Sequence, residues 1–224
     1  MSNAAPTDRP DGADDTVEAT VALVKQTLDR GEPLVAYDRA QAGLARWPGH
    51  TRLRQLKGLA LARGGDMVRA NQTFAELAQE GNGDAETLGM LARTCKDLGL
   101  RAKDPAARAA HLGQAFGLYE KTFEAARRTN SAADALYGGI NAATLAVLLG
   151  DLPRAQRIAA EVQAIGQRTT ENEATQARYW REATLGESAL ILGEPINLMH
   201  LIGVGIIFAG VVVVGLSERR ANTK

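Results

Sequence analysis

The chain has 224 residues, enough for one good-sized domain or for an array of several repeats with an appendage. Its 26 basic and 26 acidic residues cancel, so no overall basic excess points to nucleic acid. Cys95 is the only cysteine, which excludes an intrachain disulfide and fits a reducing compartment.

Aromatic residues make up only 4% and Ala dominates, a composition that suits closely packed helices because Ala combines the best helix propensity with little bulk. Residues 1–16 are expected to be a disordered lead. The stretch MSNAAPTDRPDGADD is rich in Pro, Gly, Asp and Asn, and without an apolar run it is no secretory signal.

Val17 to Arg30 reads as a first helix, with Val17, Val21, Val24 and Leu28 on its inner face and a cap within Asp14 to Thr16. Gly31, Glu32 and Pro33 break it, Leu34 to Arg46 follows, and Trp47-Pro48-Gly49 closes the pair. Thr51 to Gly64 and Met67 to Gln79 form the clearest pair. Counted from Thr51, Gly58 stands at position eight, Leu61 at eleven, Ala70 at twenty and Phe74 at twenty-four. Tetratricopeptide repeats, about 34 residues long, want small residues at eight and twenty and bulky ones at eleven and twenty-four. The two helices of a hairpin cross where the small residues meet, and the aromatic fills the space beside them. Ala36 and Pro48 occupy matching offsets in the first pair. Ala143, Gly150, Ala155 and Ala159 do so in a later one.

Glu86 to Leu100 starts a further unit whose partner helix is delayed by a polar insertion, Arg101 to Ala109, before His111 to Arg128 resumes with Ala115 and Tyr119. Insertions in repeat arrays lengthen either a loop or a helix. Thr129-Asn130-Ser131 turns into a central helix, YGGINAATLAVLLGD, over Tyr137 to Asp151. Leu152 to Gln167 returns with Ala155, Ile158, Ala159, Val162 and Ile165 on one face. Tyr179 to Leu192, with Gly186 at position eight and Gly193 as its stop, opens another unit.

The expected second helix of that unit gives way to INLMHLIGVGIIFAGVVVVGL. From Leu198 to Leu216 only His200 is polar and no charge appears. Runs of about 18 or more such residues mark membrane-spanning helices. The fold class predicted is therefore all-α: a tetratricopeptide-like right-handed helical solenoid over 17–194, a transmembrane segment over 196–216, and a short basic tail over 217–224. A buried cap or assembly contact is the alternative for the apolar run. Gly205 and Ala209 offer a small-residue face for helix–helix contact in the bilayer, and with it a homo-oligomer. Single-pass insertion with the repeat domain cytoplasmic is expected. The absence of a signal ahead of that domain outweighs Arg219, Arg220 and Lys224 of the tail, which alone would favour a cytoplasmic C-terminus.

Chemistry is sparse. His50, His111 and His200 are scattered outside any metal-binding spacing, no phosphate loop is present, and Gly186-Glu187-Ser188 lacks the final Gly of a nucleophile elbow. No enzyme, metal or cofactor is expected. What remains is a binding surface. Tyr137, Asn141 and Thr144 share one helix face, and Tyr179 or Trp180, Ala183, Thr184 and Glu187 share another. First helices of successive repeats line one wall, so the two sets are expected to face a common groove. Asn141 either bonds a ligand or bridges helices, and Trp180 either packs or stacks on a flat ring. Glu187 either meets a ligand or pairs with Arg178 or Arg181. Arg93 and Lys96, on the preceding first helix, either meet a phosphate or form a solvated face. Cys95, amid Leu91, Ala92 and Leu98, is expected to be buried.

The stretches ETLGMLARTCKD, LYEKTFEAA, GINAATL (Gly139 to Leu145) and YWREATLGE (Tyr179 to Glu187) resemble the tetratricopeptide-like domain TPR-S, which is similar to the TRAF-binding region of kinases that activate stress-responsive mitogen-activated kinases. The resemblance covers roughly Arg52 to Gly193. It implies a non-enzymatic sensor or adaptor, in bacteria often joined to signalling and conflict-system effectors, with a peptide, protein or nucleotide-like partner. With the apolar run it predicts a membrane-tethered sensor or adaptor. A membrane-disrupting effector triggered by clustering, or a soluble scaffold, are the alternatives.

Overall fold

The computed structural model describes residues 16–168 and 175–194. Every element among them is an α-helix: α1 Val17–Asp29, α2 Pro33–Arg46, α3 Thr51–Arg63, α4 Met67–Gln79, α5 Ala85–Arg101, α6 Pro105–Arg128, α7 Ala132–Leu148, α8 Leu152–Arg168 and α9 Thr175–Leu192. They divide into two compact units, Met1–Leu98 and Gly99–Lys224, with α5 running across the boundary.

The first unit is built around Val24, Leu28, Ala36, Ala40, Leu53, Leu56 and Ala60, with Val17, Val21, Tyr37 and Trp47 packed against them. Three of its helices, α1, α3 and α4, begin on a side-chain cap. Thr16 caps α1 through its hydroxyl, which accepts from the Ala19 amide, and Asp66 caps α4 the same way from Arg69. Such caps satisfy amides that the helix leaves orphaned. The α3–α4 hairpin crosses where the spacing predicts it, with Gly58, Ala70 and Phe74 all buried at the contact. The start of α5 is tied to α3: the buried Gln55 amide donates to both Asp84 oxygens, at 3.1 and 2.9 Å, and to the Thr87 hydroxyl at 3.0 Å.

In the second unit, α7 packs against α6, α8 and α9. Its Gly138-Gly139 pair explains how. A Cβ on Gly138 would stand 3.0 Å from the Phe123 backbone nitrogen of α6, and one on Gly139 would overlap Val162 of α8 and the Phe123 ring. Ala142, Ala143, Ala155 and Ala159 are fully buried further along the same helices. Arg154 fastens α8 to α6, forking onto Glu120 at 2.7 and 2.8 Å and lying 4.5 Å over the Phe116 ring.

The polar insertion adds length to a helix. Asp104 accepts from the Ala107 amide, Pro105 takes the first helical position, and α6 reaches 24 residues. α6 therefore begins six residues before His111. The expected membrane segment 196–216, with Gly205 and Ala209, and the tail 217–224 lie outside the described residues, as do residues 1–15. No helix among the described residues is long and apolar enough to cross a membrane.

Candidate functional site

A cleft of about 730 Å³ opens between α7 and α9 in the second unit. Helical spacing of three and four residues sets Leu136, Ile140 and Ala183 on its floor, all buried, with Ala132, Ala133 and Ala177 along its sides. Tyr137 and Trp180 stand at its mouth, 49% and 55% exposed. Asn141, Arg181, Thr184 and Glu187 supply its polar groups.

Tyr137 is held edge-on against Tyr119 of α6, ring centres 5.7 Å apart, and Trp180 against Tyr179, 5.3 Å apart. The Asn141 amide donates 2.9 Å back to the Tyr137 carbonyl of its own helix. Thr144 and Glu187 clasp the two helices directly, the hydroxyl donating to the carboxylate Oε1. Arg181 does not reach for Glu187. It pairs with its neighbour Glu182 at 3.1 Å, both side chains largely covered.

Six of the residues singled out from helical spacing, Tyr137, Asn141, Trp180, Ala183, Thr184 and Glu187, thus line one cleft, and Thr144 braces it. Tyr179 sits behind Trp180. Arg93 and Lys96 belong to the first unit, where Arg93 borders a small hollow of about 60 Å³ with Leu59, Met67 and Met90. Helical spacing alone does not assign Leu136, Ile140 and Arg181 to the lining. Ile140 stands one residue before Asn141 and Arg181 one after Trp180, positions the same turn brings to the cleft. Among the described residues no three His, Cys, Asp or Glu side chains are placed to share a metal ion.

Hairpins of antiparallel helices crossing at Gly and Ala, with a cleft along neighbouring first helices, define a tetratricopeptide-type repeat protein. Two solved structures share the fold. The thermophilic TPR protein TTC0263 of Thermus thermophilus has a TM-score of 0.60 and 16% identity, over 92% of this chain and 98% of that one. BtubC (BKLC) from P. vanneervenii has a TM-score of 0.56 and 19% identity, over 89% of this chain and 81% of that one. No curated protein matches the sequence. Within that class the chain belongs to the TPR-S family, Tetratricopeptide Repeats-Sensor, which matches residues 19–146. The match begins earlier than the resemblance read from the sequence and stops before α9, so it takes in the α7 wall of the cleft and leaves out the α9 wall.

Proposed function

We propose that the chain is a non-enzymatic sensor or adaptor whose α7–α9 cleft receives a segment of a partner protein. Tetratricopeptide domains generally mediate protein–protein contacts and are typically non-catalytic. The observation that carries the reading is the cleft itself. An apolar floor, two half-exposed aromatic rings and a few convergent polar groups within about 730 Å³ are what a binding site needs. The test is comparative capture with the full chain against Asn141→Ala/Glu187→Ala. Partners retained by the wild type should be lost by the variant while helicity stays the same, and equal retention of the same partners would overturn the assignment.

A membrane tether through Leu198 to Leu216 belongs to the same proposal and rests on the charge-free apolar run alone. Full-length chain should pellet with membranes after an alkaline carbonate wash, and a chain ending at Glu194 should not. Full-length protein that stays in solution without detergent would remove the tether from the proposal.

A further inference from the structure

We infer that the α7–α9 cleft selects an occupant carrying a positive charge on an apolar stem, such as a lysine or arginine side chain of an apolar protein segment; this rests on the cleft being a binding site.

The argument is one of charge balance. Glu187 is a half-buried carboxylate at the edge of an apolar floor. Thr144 donates to one of its oxygens, and the other, Oε2, accepts no hydrogen bond among the described residues. A carboxylate beside apolar surface is costly unless its oxygens are met, and a cationic donor meets them with the strongest hydrogen bonds available. Among the described residues lining the cleft, Arg181 is the one that is basic, and it pairs with Glu182 at 3.1 Å. Among the described residues the lining thus carries one carboxylate charge without a basic partner, and an occupant that displaces water from Oε2 has to answer it.

A further feature agrees. Tyr137 and Trp180 present half-exposed rings at the mouth, and aromatic faces attract cations.

The test uses the full chain and four small probes: n-hexylammonium, n-hexanol, n-hexanoate and adenosine monophosphate. Trp180 emission is the readout, with the Trp180→Phe chain, which retains Trp47, as the blank. Hexylammonium should perturb the emission at a concentration about tenfold below hexanol and further below hexanoate, the preference expected of a charge-assisted hydrogen bond over a neutral contact. Glu187→Gln should bring hexylammonium to the level of hexanol and leave hexanol unchanged. Stronger binding of hexanoate or of the nucleotide, or equal binding of the three hexyl probes, would overturn the charge selection and leave the cleft as a site. The wild-type comparison of these probes decides this even if Glu187→Gln fails to fold. Silence towards all four probes would overturn the cleft as a site altogether.

Discussion

Gly58 of α3 lies so near Phe74 of α4 that a Cβ placed on it would stand 2.7 Å from the ring's Cζ. The ring is fully buried. Gly58→Ala should therefore destabilise the chain by about 1–2 kcal/mol, because overpacking outweighs the helix propensity gained. Gly113→Ala in α6 is the control. A Cβ there meets nothing within 4 Å, so the same exchange should stabilise by about 0.5–1 kcal/mol. Urea midpoints that move the same way for both would disprove the close contact.

Ala155 of α8 is likewise fully buried. Ala155→Leu forces three extra carbon atoms into that packing and should cost about 1–3 kcal/mol. Thermal unfolding unchanged from wild type would show that α8 does not approach its neighbours there.

Acid should loosen the tie between α3 and α5. Partial burial pushes the Asp84 carboxyl up, but the Thr87 amide and hydroxyl, the Gln55 amide and nearby Arg52 outweigh it and hold Asp84 below the ordinary carboxylate range. Hydrogen bonding from the Arg54 guanidinium, whose own pKa is raised by that contact, depresses Glu80 likewise. A carboxyl depressed by folding adds stability above its unfolded pKa, and that stability is lost as pH falls through the folded value. The window therefore opens below about pH 4. Asp84 lies at the surface, where solvent screening keeps the contribution small. Asp84→Asn should lower the urea midpoint at neutral pH, and the difference from wild type should shrink towards pH 3. A difference that stays constant with pH would deny Asp84 this role.

The lone thiol gives a clean probe of opening in the first unit. Burial pushes the Cys95 thiol above its ordinary pKa, partly opposed by the Asn71 amide, which donates to the sulfur at 3.1 Å. Native protein should react with a thiol reagent only as fast as this region opens, and unfolded protein at once. Stoichiometric labelling of folded protein within seconds would contradict the burial.

Much of this architecture was legible because it is written in short-range spacing. Gly58, Ala70 and Phe74 announce a helix crossing by their offsets alone, and Gly150 and Gly193, both at positive φ, announce the ends of α7 and α9. α6 begins earlier than its apolar spacing indicates, because Arg101 to Ala109 reads as a polar insertion. Asp104 followed by Pro105 was the available signal, a cap and a first-turn proline. Within the cleft, each helix face was readable separately. The Thr144–Glu187 clasp was not, since it joins residues 43 apart whose register only packing decides. For the same reason nothing in their spacing told that Arg93 and Lys96 belong to one unit and Tyr137 and Glu187 to the other.

The turns have a consequence in time. After α1, α3, α4, α7 and α9 a positive-φ glycine stops the helix, and after α6 Asn130 does so, each with the next amide bonded back to a carbonyl five residues earlier, such as Asp66 to Leu61 at 3.0 Å. Every such stop is decided within a single turn of chain, and the hairpins on either side need partners only a few tens of residues away. Chains of such local contacts fold in about microseconds to milliseconds, whereas a ribosome adds only about 5–20 residues per second. Each hairpin can therefore close while the chain is still being made, and α1 to α4 have seconds in which to pack before the residues of α9 exist.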